Sequence, residues 1–69
     1  MEIFKLQGEF IKLGQFLKAA NFVQTGGEAK EVILDGEVRL NGEVELQRGK
    51  KLHVGDVVSC GDREVKIEQ

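Results

Sequence analysis

The stretch Thr25-Gly26-Gly27-Glu28-Ala29-Lys30-Glu31-Val32-Ile33-Leu34-Asp35-Gly36-Glu37-Val38-Arg39-Leu40-Asn41-Gly42 holds a helix start, a helix stop and a chain reversal. Thr25 and Glu28 match the capping-box pattern, a hydroxyl at the N-cap and a carboxylate three residues on. Ala29, Val32 and Ile33 then fall on one helical stripe, and Gly36 supplies the left-handed residue that closes such a helix. Glu28, Glu31 and Asp35 cluster on one flank of this helix, while Lys30 lies on the other, near Gly26 and Gly27. After Gly36 the period drops to two. Asn41-Gly42 is a strong signal for a two-residue hairpin turn, because both residues tolerate positive φ. A capped helix that runs into a hairpin makes the chain α+β.

Working outward, Met1 to Leu6 reads as a short strand and Gly8 as a turn before Phe10 and Ile11. From Leu13 the period is helical: Leu13, Phe16, Leu17 and Ala20 share one stripe, with Lys12, Gln15 and Lys18 on roughly the opposite side. Asn21 can close this helix in a left-handed conformation. Beyond the second helix the chain reads as antiparallel strands. Val38, Leu40, Val44 and Leu46 are expected to point one way, and Arg39, Glu43 and Glu45 the other. Leu52 and Val54 alternate with Lys51 and His53 in a further strand. Gly55-Asp56 and Gly61-Asp62 make turns on either side of Val57 to Cys60, and Val65 and Ile67 pattern the last strand.

At 69 residues the chain is expected to form one domain with a small core and no room for a deep catalytic cleft. A hydrophobic share of 41% is enough for that core. The single cysteine, Cys60, excludes an internal disulfide and a cysteine-rich zinc site. One thiol, no signal-like apolar run and no stretch long enough to span a bilayer point to a cytoplasmic protein without a membrane partner.

Charge is segregated along the chain. The net charge is −2, yet Phe10 to Gly27 and Leu46 to Gly55 contain no Asp or Glu. The first window carries Lys12 and Lys18; the second carries Arg48, Lys50, Lys51 and His53. A face built from both would be cationic and would suit a phosphate backbone. The Thr25-Gly26-Gly27 helix start offers free N–H groups and the positive end of the helix dipole, with glycine allowing close approach. Its plainer reading is an ordinary capped helix. Arg48-Gly49-Lys50-Lys51 reads as a basic turn, or as a solvated loop that keeps a sheet edge soluble. Arg39 either extends the patch or pairs with Glu43 or Glu45 across the hairpin.

Nothing marks catalysis. His53 has neither an orienting partner nor a pocket in the sequence, and no other His or Cys stands at ligand spacing. No metal, cofactor or catalytic residue is assigned, and the chain is not expected to be an enzyme. Readers of single strands stack bases on exposed aromatics. Here Tyr and Trp are absent, Phe4, Phe10 and Phe16 are expected in the core, and only Phe22 is left as a candidate. A basic face without stacking platforms suits the backbone of folded RNA.

The ordered set Lys12-Leu13-Gly14-Gln15-Phe16-Leu17, Thr25-Gly26-Gly27-Glu28-Ala29-Lys30, Gly36-Glu37-Val38-Arg39-Leu40-Asn41-Gly42, Arg48-Gly49-Lys50-Lys51-Leu52 and Val54-Gly55-Asp56-Val57-Val58 resembles the S-four RNA-binding domain. That is the αL motif of the small-subunit ribosomal protein S-four, found also on pseudouridine synthases and tyrosyl-tRNA synthetases. The chain looks like the stand-alone bacterial type. The resemblance covers about residues 11–58 of a single domain, 1–69. It implies two short helices packed on a small twisted antiparallel sheet, with structured RNA, ribosomal RNA or tRNA, held by the helical pair. Carried over by position, the implied contacts are Lys12, Gln15, Lys18, Thr25, Gly26, Gly27 and Lys30, flanked by Arg48, Lys50 and Lys51. Two positions depart from the family pattern. Lys12-Leu13-Gly14 stands where many members have Arg-Leu-Asp, and Thr25-Gly26 where many have Ser-Arg. The expected protein is a monomeric, ribosome-associated binder of RNA without catalysis. The alternatives are a β-grasp module, sulfur-carrier-like or regulatory, and a protein-interaction adaptor. A sulfur carrier needs a C-terminal Gly-Gly, whereas this chain ends Ile67-Glu68-Gln69, and the capped helix is surplus to that topology.

Overall fold

A computed structural model describes all 69 residues. The chain runs β1 (Glu2–Lys5), β2 (Ile11–Lys12), α1 (Leu13–Ala19), α2 (Gly26–Leu34), β3 (Val38–Leu40), β4 (Glu43–Val44), β5 (Lys51–Leu52), β6 (Val57–Cys60) and β7 (Arg63–Glu68). Both helices end where the sequence calls for it. Asn21 adopts φ 60° beyond α1 and Gly36 φ 76° beyond α2. Five strands form one sheet in the order β1-β7-β6-β3-β4, and β2 and β5 form a separate two-stranded ribbon. The α+β class with two short helices on a small sheet is as expected.

The sheet is antiparallel through β4, β3, β6 and β7, but β1 pairs parallel to β7, with Glu2 opposite Val65 and Lys5 opposite Glu68. Alternation along a strand reports which face a residue takes, not the direction of its neighbour. Short turns impose antiparallel pairing on the hairpins. No turn links β1 to β7, so packing alone sets their direction.

The hairpin corrects a second expectation. Asn41 (φ 52°) and Gly42 (φ 88°) make the two-residue turn, so Leu40 opposes Glu43 and Arg39 opposes Val44. Directly opposed residues share a face. Val44 therefore lies on the outer face with Arg39, not inward with Val38, and both it and Leu46 are exposed. Arg39 forms no ion pair with Glu43 or Glu45; its Nη1 donates to the Gly42 carbonyl oxygen at 3.3 Å. Val54 is likewise exposed, because the strand stops at Leu52 and residues 53–56 form a turn. The Asp56 N–H donates to the His53 carbonyl oxygen at 3.0 Å, with Gly55 at φ 98°.

One apolar cluster joins the layers. Leu13, Phe16 and Leu17 of α1 and Ala29 and Ile33 of α2 pack with Val38, Val58, Val65 and Ile67 of the sheet and Leu52 of the ribbon. Asn41 and Asp56 lock the two turns of the sheet together. Asn41 Nδ2 donates to Asp56 Oδ1 at 3.1 Å, the Val57 N–H donates to Asn41 Oδ1 at 2.9 Å, and the His53 N–H donates to Asp56 Oδ2 at 2.7 Å. Asp56→Ala removes two of these bonds, one of them to a backbone N–H, and is expected to cost about 2–3 kcal/mol. Urea denaturation measures it, and a loss under about 0.5 kcal/mol would contradict the lock.

Arg63 is a tie that no local pattern announces. Its Nε and Nη2 donate to the two carboxylate oxygens of Glu2 at 2.8 and 2.6 Å. Nη1 donates to the Asn21 carbonyl oxygen at 3.0 Å and Nη2 to that of Ala20 at 2.9 Å. One guanidinium thus joins β1, β7 and the carbonyl-rich end of α1, where positive charge is favoured. These hydrogen bonds hold the Glu2 carboxyl below the usual carboxylate range. Cys60 is half-buried against the core, and burial pushes its thiol pKa up, as suits an inert strand residue.

Candidate nucleic-acid interface

The first turn of α1 leaves N–H groups without helical partners. Here the 48–50 loop meets them: the Leu13 N–H donates to the Lys50 carbonyl oxygen at 2.8 Å and the Gly14 N–H to that of Arg48 at 3.0 Å. Lys12 caps the helix in an extended conformation, and its N–H donates to Gln15 Oε1 at 3.4 Å. The basic turn is thereby docked on the start of the basic helix. The two acid-free windows of the sequence meet at this joint.

Gly14 makes the docking possible. It is buried, and a Cβ built on it would lie 2.7 Å from Arg48 Cγ. A side chain there would force the Arg48 stem to move. The glycine that departs from the family pattern is the surface over which Arg48 lies.

At the start of α2, Thr25 Oγ1 accepts from the Glu28 N–H at 3.1 Å, and Glu28 Oε1 accepts from the Gln24 N–H at 3.1 Å. The cap is formed, with the carboxylate reaching one residue further back than the capping box predicts. The N–H groups of Gly26 and Gly27 donate to no group of the protein.

Between α1, the start of α2 and the basic loop lies an open groove of about 390 Å³. Lys12, Gly14, Gln15, Lys18, Gly26, Ala29, Arg48 and Gly49 line it, three cations and no carboxylate. Neither Lys12, Lys18 nor Arg48 has an ion-pair partner, since the chain forms ion pairs only between Arg63 and Glu2 and between Lys5 and Glu68. The groove therefore gathers three cations that no carboxylate of the protein pairs with.

Of the residues singled out in the sequence, the structure gathers Lys12, Gln15, Lys18, Gly26 and Arg48 around this groove. Thr25 and Gly27 adjoin it, with the Thr25 hydroxyl oxygen accepting the cap bond. Lys30 is exposed on α2, one turn beyond Gly26 and outside the lining. Lys50 and Lys51 turn to a second concavity of about 410 Å³, which they share with Glu43, Glu45, Asp56 and His53. Arg39 lies on the outer face of β3, away from the helices. The alternation that separates Arg48 from Lys51 across a docked loop has no signature in the sequence. No group of three or more His, Cys, Asp or Glu side chains is placed to hold a metal ion.

The aromatic residues are also redistributed. Phe4 and Phe16 pack edge to face, ring centroids 5.1 Å apart. Phe22, the stacking candidate in the sequence, is half-buried with the Arg63 guanidinium 4.2 Å from its ring centroid. Phe10, expected in the core, is 39% exposed instead.

Comparison with solved structures finds YbcJ of Escherichia coli, whose solution structure is described as revealing an αL motif involved in RNA binding. It is 28% identical, with a TM-score of 0.76, over 100% of this chain and 89% of that one. The trimeric heat shock protein 15 of Vibrio cholerae is also similar, at 28% identity and a TM-score of 0.74 over 88% of this chain. The present chain spans 65% of the length of that protein. No curated protein matches by sequence. A family model described as the S4 domain matches residues 4–68, wider than the core motif and taking in the end of β1 and all of β7. With the helical pair, the sheet and nearly the whole length accounted for, this chain belongs to the S4 domain family.

Proposed function

We propose that residues 1–69 act as one RNA-binding domain that holds the backbone of folded RNA in the groove between α1 and α2. The observation that carries this reading is the groove's lining, three unpaired cations and no carboxylate in a chain of net charge −2. Membership of the S4 domain family and the likeness to YbcJ, described as having a motif involved in RNA binding, support it. Lys12 and Lys18 serve as point charges to phosphates, and Arg48 can bind one through two N–H donors. The free N–H groups of Gly26 and Gly27 suit a phosphate oxygen at the positive end of α2. Lys30, Lys50 and Lys51 act as outer contacts to flanking backbone. The RNA is ribosomal RNA or tRNA, and binding is monomeric, cytoplasmic and without catalysis. No helix is long and apolar enough to cross a membrane.

The test is binding to a labelled RNA hairpin across a salt series, with competition by unlabelled RNA. Four to six phosphate contacts give a log–log slope of about −3 to −5. Folded RNA should compete better than an unstructured strand. Absence of hairpin binding at low salt, or a slope near zero, would overturn the reading. Failure of folded RNA to displace an acidic protein partner would favour the adaptor alternative.

A further inference from the structure

Phe10 is the only aromatic among the exposed large hydrophobic residues, the others being Met1, Ile3, Leu34, Val44, Leu46 and Val54. Its surroundings set it apart from a stray surface side chain. In the β2–β5 ribbon Ile11 opposes Leu52 and Lys12 opposes Lys51. Leu52 is buried and Ile11 packs against the core, so the intervening positions face outward. Extending the ladder by one residue brings Phe10 beside His53, their ring centroids 6.4 Å apart and the planes inclined by 51°. Lys51 Nζ stands 4.6 Å from the Phe10 ring centroid. Phe10, Lys12, Lys51 and His53 thus occupy one outward face, and Lys12 is also a wall of the phosphate groove. Phe10 lies two residues from Lys12, about 7 Å along a strand.

We propose that Phe10, with His53 beside it, is a stacking station for one unpaired base, next to the groove that holds the backbone. This rests on the RNA reading above and narrows it: the preferred ligand is a stem that carries an unpaired nucleotide, not an uninterrupted duplex. A base within a duplex has both faces covered by its neighbours, whereas an unpaired base can lay one on an aromatic ring. Lys51, which also borders the second concavity, is held over the ring by a cation–π contact at an exposed position, so it can swing aside toward Glu43, Glu45 and Asp56 and free the ring face. None of the other three phenylalanines offers such a surface, as Phe4 and Phe16 pack on each other and Arg63 covers Phe22.

The experiment compares two RNA hairpins that differ by one unpaired nucleotide, using the wild type, Phe10→Leu and Phe10→Trp. The wild type should bind the bulged hairpin about tenfold more tightly than the fully paired one, within the range expected for stacking a single base. Phe10→Leu should retain the affinity for the paired hairpin and lose the preference. The chain has no Trp or Tyr, so emission from Phe10→Trp reports this position alone and should be quenched by the bulged hairpin more than by the paired one. Equal wild-type affinity for the two hairpins, or an equal loss on both with Phe10→Leu, would overturn the stacking station and leave the groove reading standing. Absence of binding to either hairpin would overturn both.

Discussion

Replacing Lys18 and Arg48 together by glutamate is expected to weaken binding to folded RNA by more than about 100-fold while the fold survives. Each substitution removes a charge-assisted contact of about 1.5–3 kcal/mol, and tenfold in affinity corresponds to about 1.4 kcal/mol. Two lost contacts alone give roughly 3–6 kcal/mol by the same reckoning, before repulsion between the new carboxylates and the phosphates is counted. Lys18 and Arg48 are exposed and have no ion-pair partner, so nothing in the folded chain is left unpaired. Unchanged circular dichroism and melting temperature would establish that the loss belongs to the groove. The matched control is Lys50→Glu with Lys51→Glu, the same change in charge at the second concavity. It should weaken binding by clearly less, because Glu43, Glu45 and Asp56 already face those lysines. Equal losses for the two pairs would mean that RNA responds to net charge and not to the groove. From sequence alone Lys50 looks as good a partner for Lys18 as Arg48 does; the docked loop decides between them.

Phe16→Ala is expected to bring the domain to the edge of unfolding. Phe16 is fully buried, packs edge to face on Phe4 at 5.1 Å and lies 6.0 Å from the Phe22 ring. It is the apolar contact by which α1 holds β1 and Phe22 beyond its own C-terminus, beside the polar tie made by Arg63. Truncating a buried phenylalanine costs about 3–5 kcal/mol through lost burial and the cavity left behind. At about 0.05–0.15 kcal/mol per residue a chain of this length holds roughly 3–10 kcal/mol in all. The change therefore removes between about a third and all of the stability. Urea denaturation of the two proteins, with the slope constrained to be equal, reads the difference. A loss below about 1 kcal/mol would show that the neighbouring rings close the gap, or that α1 is held chiefly by the Arg63 tie.

How much of this was legible depends on the range of the interaction. Thr25, Asn21, Gly36 and the Asn41-Gly42 turn act within a few residues, and each does what its local chemistry demands. The buried stripe of α1 follows from its period. The acid-free windows identify the cations of the groove, but not their grouping. Arg48 and Lys51 are close in sequence and serve different concavities, because the loop that carries them is pinned to the N–H groups of Leu13 and Gly14. Gly14 reads as a mere departure from the family pattern until Arg48 is seen lying across it. The outward position of Val44 has a different origin. Asn41-Gly42 makes the turn its chemistry calls for, but a two-residue turn sets opposite residues on one face, which reverses the alternation carried across it.

The sequence by itself determined the two helices and their ends, the hairpins, the apolar stripes of the helices and the segregation of charge that suits an anionic ligand. Those features rest on backbone conformation and on side-chain periodicity, both of which act over a few residues. Only the tertiary structure decided the parallel seat of β1 beside β7, the Arg63 tie, which cations share a groove and the exposure of Phe10. Each of these depends on which distant segment occupies a given space. The apolar pattern leaves that choice open, and close packing settles it by excluding the alternatives.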